Sequence, residues 1–339
     1  MPSSVEGKRA PFYLAAEEYI AHNLPADDYL FTWQIGPTVV MGRHQVAHLE
    51  VDLDFCRAEG IDVIRRKSGG GCIFADYNNI MVSRVTGSGP IEPIFQQYAE
   101  DVTACLNRLG APVEVAGRND IVLNGRKICG NAFYHLKDRN IVHGTMLYDT
   151  NERLMQGALT PDKAKMSSKG VTSVKSRVGF LKDYLSISVN ELREELRRGL
   201  TDRSILLTDE DIQYIKAIEA EYYDPDYLFG KQSREDKSCE ARIPGVGSLN
   251  FRFSLIGDRI DQVSVQGDFF EEADAQFVFK EALVGVVFQP AAIAEALQKY
   301  QPERAIRGLE AEALWNLLLK MVNYISYKHV MVKELLLQH

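Results

Sequence analysis

Arg65-Arg-Lys-Ser-Gly-Gly-Gly-Cys-Ile-Phe74 is the stretch around which the rest of the chain is organised. Three consecutive glycines between extended segments weaken any sheet, so they require a reason. One reason is a backbone that must approach a ligand closely and expose its N–H groups as an anion-binding nest. The cations Arg65, Arg66 and Lys67 directly upstream would add charge-assisted hydrogen bonds to phosphate or carboxylate oxygens. The plain alternative is a glycine-rich hairpin turn with solvated basic flanks. Known phosphate motifs do not fit, because no Gly-Lys-Ser/Thr follows at P-loop spacing and no G-x-G-x-x-G opens a helix. Gly245-Val-Gly247 is only a fragment of the latter, in the wrong context.

Upstream of this stretch the chain reads as a helix and short strands. Phe12 to His22 forms an amphipathic helix with Leu14, Tyr19 and Ile20 inward. Tyr29 to Trp33, Thr38 to Met41 and Ile61 to Ile64 are rich in β-branched or aromatic residues and bounded by Gly, Pro or polar residues. Downstream, Ile91, Ile94, Phe95, Tyr98, Val102 and Leu106 recur at three- and four-residue steps, which predicts a helix from Ile91 to Leu109 that stops at Gly110. Val113 to Val115, Asp120 to Leu123 and Ile141 to Leu147 are further strands, with Asn124-Gly125 as a tight hairpin turn. Ser188-Val-Asn-Glu191 carries a capping box, and Thr208 to Tyr223 is another helix. Beyond a polar stretch from Gly230 to Ser238, Ala241 to Phe253 and Arg259 to Phe269 suggest a strand pair followed by helices. The element order predicts an α+β protein with many short antiparallel strands. The expected organisation is a catalytic domain over 1–228, a linker over 229–240, and a small α+β accessory domain over 241–339 with an extra terminal helix.

A second constellation runs from Gly117-Arg-Asn-Asp120 through Gly125-Arg-Lys-Ile-Cys-Gly130. Asn119 and Asp120 offer oxygen ligands of the kind a divalent cation takes. Lys127 is placed to point from a short strand toward whatever approaches that backbone, although a solvated strand lysine is the default. A third segment, Asp162 to Lys182, carries Lys163, Lys165, Lys169, Lys175, Arg177 and Lys182 against a single acid. Such a run is usually a solvated loop, or a contact for phosphates or an acidic surface.

Bulk properties narrow the class. The 339 residues are 45% hydrophobic and 25% charged, enough apolar material for one large core and a smaller one. A net charge of −8 gives no global basic field for nucleic acid or anionic lipid. No apolar run approaches the ~20 residues of a membrane span, and the start, Met1 to Lys8, lacks the apolar stretch of a signal peptide. A soluble, cytoplasmic protein is expected. Cys56, Cys72, Cys105, Cys129 and Cys239 form no C-x-x-C pair, so most read as reduced core residues and a structural metal is not expected.

Taken together, these segments resemble the lipoate–protein ligase family, whose catalytic fold is that of the class II biotin/lipoate ligases, with mixed, largely antiparallel sheets. The resemblance runs from about Phe12 to about Leu319 through Leu14-Ala-Ala-Glu-Glu18, Val39-Val-Met-Gly-Arg-His-Gln45 and Arg65-Arg-Lys-Ser-Gly-Gly-Gly71. It continues through Gly117-Arg-Asn-Asp120 with Gly125-Arg-Lys-Ile128, His143-Gly-Thr-Met-Leu147, and Lys169-Gly-Val-Thr-Ser-Val-Lys-Ser-Arg-Val178. One such segment alone is weak, whereas six in register are specific. The resemblance implies ATP-dependent activation of lipoate to lipoyl-AMP, and transfer to a lysine of apo lipoyl domains of 2-oxoacid dehydrogenases or of the glycine-cleavage H protein. It implies an adenylate site formed by Arg66, Ser68, Gly69, Gly70, Gly71, Cys72, Ile73 and Phe74 with Asn119, Asp120 and Lys127. Lys127 would be the catalytic cation, reaching both the acyl carboxylate and the α-phosphate, where it offsets their repulsion. Mg²⁺ is expected on the phosphates, held through Asn119 and Asp120. The apolar acyl chain is expected in a tunnel lined by residues such as Trp33, Val40, Ile73 or Ala132, with His143, Gly144 and Thr145 beside Lys127.

The chain departs from the family pattern in two places. Where the family usually has His-Asp-x-Gly-Asn after the glycines, this chain has Ala75-Asp76-Tyr77-Asn78-Asn79, and the usual Asn after Gly-Arg-x-Gln is Val46. The stretch Lys320 to His339 extends beyond the matching small domain and reads as a packed helix or a dimer contact. The rival reading is an ATP-independent octanoyl or lipoyl transferase on the same fold, acting through a thioester on Cys72 or Cys129. Lys127 lies two residues from Cys129, which on a regular strand puts both on one side. A catalytically silent lipoate- or acceptor-binding module is the third reading. Biotin ligation is disfavoured because the biotin enzymes' arginine-rich nucleotide loop is absent.

Overall fold

A computed structural model describes residues 7–117, 119–136, 138–160, 178–229 and 237–319. Arg118, Lys137, the whole basic run from Asp162 to Arg177, most of the polar stretch Gly230 to Ser238 and the final Lys320 to His339 lie outside the described residues. The chain divides into two compact units between Gly230 and Lys231.

The first unit is built on a six-stranded antiparallel sheet in the order β1-β5-β9-β8-β7-β6. These strands are β1 (Tyr29–Trp33), β5 (Asn79–Thr86), β6 (Val113–Ala116), β7 (Asp120–Leu123), β8 (Arg126–Leu136) and β9 (Arg139–Leu147). A three-stranded sheet of β2 (Thr38–Met41), β3 (Asp62–Arg65) and β4 (Ile73–Ala75) accompanies it, with β2 parallel to β3 and antiparallel to β4. The architecture is therefore α+β and largely antiparallel, as the element order predicts. The Asn124-Gly125 turn joins β7 to β8 with both residues at positive φ, 49° and 73°, the geometry of a tight primed turn. The short helices α2 (Ala47–Glu50) and α3 (Leu53–Ala58) follow β2, and the long helix α4 (Ile91–Arg108) follows the apolar repeat that the sequence shows.

Helix α1 (Ala10–Asn23) differs from its expected amphipathic form, because every residue from Ala10 to Ala21 is buried, Glu17 and Glu18 included. Two carboxylates tolerate that environment only with partners. Glu17 accepts from His143 and Ser83, and Glu18 from Lys67 and Tyr222. Phe12, Tyr13, Trp33, Val40, Ile64 and Met81 pack around α1 in one cluster. Burial of each such large side chain contributes roughly 1.5–3 kcal/mol.

Further along, α5 (Glu152–Ala158) is capped by Asn151 and α6 (Val189–Leu200) by the capping box of Ser188 and Glu191. Then come α7 (Asp209–Glu219), a 3₁₀ turn over Ala220–Tyr223, and the short α8 (Pro225–Phe229). In the second unit, the stretch read as one strand from Ala241 to Phe253 is a hairpin. Its strands are β10 (Lys237–Ile243) and β11 (Gly247–Ile256), followed by β12 (Arg259–Gly267). Gly245, at φ 79°, makes the turn after Pro244, and β10 begins inside the stretch 229–240. Phe251, Phe253, Phe279, Leu283 and Leu314 belong to this unit's own core. Among the described residues no helix is long and apolar enough to cross a membrane.

Candidate active site

The register of the large sheet puts its chemistry on one face. Trp33, Met81, Thr145, Gly130 and Asp120 stand opposite one another in turn across five strands. Residues opposite in an antiparallel ladder share a face, so this is one continuous row. The adjacent row on that face is Phe31, Ser83, His143 and Ala132. Helix α1 lies over the same side, where its Glu17 meets His143 and Ser83. Gly144 faces the other way: a Cβ there would stand 2.9 Å from the Tyr98 hydroxyl of α4 and 3.1 Å from the Cys129 sulfur.

Lys127 joins the first face through a β-bulge. Ile121 pairs with Cys129 and Val122 with Lys127, leaving Ile128 as an extra residue. The bulge reverses the parity that a regular strand would give. The Lys127 ammonium therefore sits over Gly130, where a Cβ would meet its Cε at 2.6 Å, and Cys129 turns to the α4 face. This corrects the expectation that Lys127 and Cys129 share a side. Asp120, opposite Gly130, holds the ammonium at 2.6 Å, with both side chains largely buried. The Lys127 carbonyl also accepts from the Gly179 amide, so the chain after the basic segment returns to this lysine.

The glycine loop connects β3 to β4. Gly70 has φ 89°, a conformation that glycine adopts without strain. Its carbonyl approaches Gly42 so closely that no Cβ fits there. The cations before the loop are engaged with the protein and do not project as solvated flanks. Arg66 is 5% exposed and spans the loop, donating to the carbonyls of Val40, Gly69 and Gly71 and to Ser68 Oγ. Burial pulls its guanidinium down to about 10, which leaves it charged at neutral pH. Among the described residues Arg65 donates only to carbonyls, and Lys67 bridges Glu18 and Glu221. Ser68 continues inward, with its Oγ 2.8 Å from His143 Nε2. An Nδ1–H tautomer of His143 then donates to Glu17 at 2.9 Å. Trp33 Nε1 closes the chain by donating to Ser83 Oγ at 2.9 Å. Arg66, Ser68, His143, Glu17, Ser83 and Trp33 thus form one buried, connected network between the loop and the sheet.

Val40 and Ile73 stand opposite each other on the small sheet and pack toward Trp33, whereas Phe74 faces a different cluster with Met41, Cys56 and Met155. Ala132 shares the sheet face but belongs to the row of His143. Cys72 is half-buried beside the Phe74 cluster. The Asn119 side chain donates to the Asn131 carbonyl on β8. Among the described residues no group of three or more His, Cys, Asp and Glu is placed to hold a metal. Asp120, engaged with Lys127, is the carboxylate beside the ammonium, so the donor set suits an ion carried by phosphates better than a dedicated protein cage. An open groove of about 1480 Å³ follows the edge strand β1 beside Tyr98 and Arg193; Trp33 and Phe31 line it, whereas Lys127, Arg66 and His143 do not.

Glu17, Glu18 and Ser83 carried no assigned role in the sequence reading. Their one signal was two adjacent glutamates inside an otherwise apolar helix.

A sheet with one polar, networked face beside a glycine loop is suited to handling anionic substrates, and the class of protein that carries it is the lipoyl ligases. The lipoyl protein ligase A/B catalytic domain matches residues 9–201, and the bacterial lipoate protein ligase C-terminus matches residues 236–318. The chain belongs to the lipoate–protein ligase family. Among its curated relatives, lipoate-protein ligase LplJ of Bacillus subtilis is 32% identical over 297 residues, covering 84% of this chain and 89% of the relative. The solved structure of P. falciparum LipL1 in complex with lipoate has a TM-score of 0.76 at 19% identity, covering 92% of this chain and 97% of that one. A lipoate-protein ligase A bound with ATP has a TM-score of 0.59 at 25% identity, covering 66% of this chain and 99% of that one.

Proposed function

We propose that this chain activates lipoate with ATP to lipoyl-AMP and transfers the lipoyl group to a lysine of an acceptor, either an apo lipoyl domain of a 2-oxoacid dehydrogenase or the glycine-cleavage H protein. The observation that carries the reading is the Lys127 ammonium, fixed over Gly130 by Asp120 on the sheet face shared with Trp33, His143 and Thr145. The ATP bound to the related ligase A supports the choice of nucleotide.

In the first step a lipoate oxygen attacks the α-phosphorus. A carboxylate–phosphate bond forms, the bond to the β-phosphate oxygen breaks, and pyrophosphate leaves. Two anions must meet for this, and Lys127 between them offsets the repulsion and stabilises the charge that develops on the phosphoryl oxygens. Asp120 fixes where the ammonium stands, and Gly130 leaves room for it. The glycine loop presents backbone amides to the adenylate, while the Arg66 network keeps that loop in one shape before substrate arrives. Mg²⁺ would enter on the phosphates, with Asp120 as the carboxylate nearest Lys127, and supplies charge neutralisation when bound. In the second step the acceptor amine attacks the mixed anhydride carbonyl, AMP leaves, and the amine loses its proton. That step asks mainly for positioning.

The thioester alternative finds no support at Cys129. Its sulfur is buried on the α4 face, and burial pushes the thiol up to about 12 although Lys127 pulls it back. A nucleophilic cysteine needs the opposite shift. The deciding experiment is ATP–pyrophosphate exchange with lipoate, octanoate or biotin as the acid. Exchange with lipoate is expected, and background exchange with both lipoate and octanoate refutes the ligase reading.

A further inference from the structure

We propose that Tyr227 binds the nucleotide, donating its hydroxyl to a phosphate oxygen; this rests on the ATP-dependent reading above. Tyr227 sits on α8, outside every segment that carries the family resemblance. Its hydroxyl is buried and finds no hydrogen-bond partner among the described residues. A phenol in such a place costs stability that phenylalanine would not, because a buried donor without an acceptor forfeits its hydration. A phenol held there nevertheless is matched by an acceptor that arrives with a ligand.

Its position is fixed from two sides. The Arg65 guanidinium donates through Nε to the carbonyls of Tyr227, at 2.9 Å, and Leu228, at 3.0 Å. The same guanidinium donates through Nη1 to Gly42, Arg43 and Gln45, in the turn after β2. That turn touches the glycine loop, because the Arg43 amide donates to the Ser68 carbonyl at 2.9 Å and Gly42 abuts the Gly70 carbonyl. The Tyr227 ring packs edge-on against Tyr222, 5.9 Å between centroids, and the Tyr222 hydroxyl bonds Glu18. Arg65 thus ties the Tyr227 backbone to the turn that touches the glycine loop, while Tyr222 holds the ring.

The surrounding charge selects an anion. Arg65 and Arg66 are 4% and 5% exposed, and among the described residues neither forms an ion pair with a carboxylate. Arg65, Arg43 and Arg66 act electrostatically on the Tyr227 phenol, with Glu18 opposing them. Burial pushes that phenol up, so it is a neutral donor throughout the working pH range. Two buried guanidiniums, glycine-loop amides and an unsatisfied O–H together fit the oxygens of a polyphosphate.

The test is Tyr227→Phe in the full-length protein. Loss of one hydrogen bond to a charged oxygen should raise the KM for ATP in pyrophosphate exchange about tenfold, leave the KM for lipoate within twofold, and leave the ligand-free Tm unchanged or raised. Tyr222→Phe, which removes a hydroxyl already bonded to Glu18, serves as the comparator and should lower Tm. An ATP KM within twofold of wild type, or a rise in the lipoate KM instead, overturns the proposal. Should the wild-type protein itself fail to exchange, the ligase reading fails. Calorimetric titration of Mg-ATP onto wild type and Tyr227→Phe then decides the contact independently, with equal affinities refuting it.

Discussion

Replacing Gly130 by alanine moves the Lys127 ammonium without altering a single charge. Gly130 has no positive φ, so its backbone accepts alanine, and restricting the unfolded chain should by itself stabilise by about 0.4–1 kcal/mol. The new Cβ would stand 2.6 Å from Lys127 Cε, against an ordinary contact of about 3.5 Å, and nearer still to Nζ. The far end of a lysine is flexible, so the side chain yields and the sheet does not, and the ammonium retreats by about 1 Å. The cost is part of the Lys127–Asp120 attraction, about 1–2 kcal/mol for a 1 Å retreat at an effective dielectric of about 20, which roughly offsets the backbone gain. Stability should therefore stay within about 1 kcal/mol, a Tm change of about 2–4 °C for a unit of this size. Catalysis responds differently, because a misplacement of 1 Å can cost about a hundredfold, or roughly 2.7 kcal/mol of barrier. The assay is lipoate-dependent pyrophosphate exchange in four proteins: wild type, Gly130→Ala, Lys127→Ala and the double variant. Lys127→Ala should lose about a hundred- to a thousandfold, and Gly130→Ala should add almost nothing to it. Exchange within threefold of wild type in a well-folded Gly130→Ala protein refutes the placement of the catalytic cation. A full further loss in the Lys127→Ala background refutes the mechanism by which Gly130 acts.

Other consequences are independent of that one. Asp120→Asn should release the ammonium and reduce exchange by about tenfold or more, whereas undiminished exchange would mean that Asp120 positions nothing. Ser68→Ala strands both Arg66 Nε and His143 Nε2, so thermal unfolding should show a loss of about 1–3 kcal/mol for each orphan; a total below about 1 kcal/mol would show that the network carries little. Cys129→Ser should retain most ATP-dependent lipoyl transfer, and iodoacetamide at pH 8 should spare Cys129 in the folded protein, because burial holds the thiol at about 12. Alkylation of native Cys129, or an acyl adduct on it formed from a carrier donor without ATP, contradicts this.

Much of the fold was legible because local chemistry agreed with it. Asn124-Gly125 supplies the two positive φ values that its hairpin requires, and the apolar repeat of α4 and the Ser188 capping box each satisfy backbone groups by near-neighbour rules. Two departures from expectation have different causes. Pro244-Gly245 interrupts the apolar run from Ala241 to Phe253 and divides it into two strands, since glycine at positive φ after proline is turn chemistry. The all-round burial of α1 was hidden because its glutamates looked like a solvated face. Their partners, His143 for Glu17 and Lys67 and Tyr222 for Glu18, lie 126, 49 and 204 residues away. No local rule sees them.

The candidate site was legible to the extent that its residues lie in motifs, and illegible where the sheet decides which of them meet. Lys127 and Cys129 are the instructive pair. Strand parity assigns them to one side, and from that assignment a cysteine nucleophile beside a lysine is a fair alternative to an acyl-adenylate mechanism. One inserted residue, Ile128, reverses the outcome: the lysine goes to the face of Trp33, Thr145 and His143, and the cysteine to the packing of α4. The bulge is set by pairing with β7 and leaves no mark in residue type, since Ile128 is an ordinary buried isoleucine. A bulge is a common device for re-aiming one side chain next to a functional site. Here it separates the cation from the thiol, so that the charge acts on an incoming anion while the thiol stays protonated in the core. The choice between the two chemistries therefore turns on the register of a single hairpin: with Ile128 paired opposite Val122 in place of Lys127, the lysine would fall on the side of Cys129 and away from Asp120.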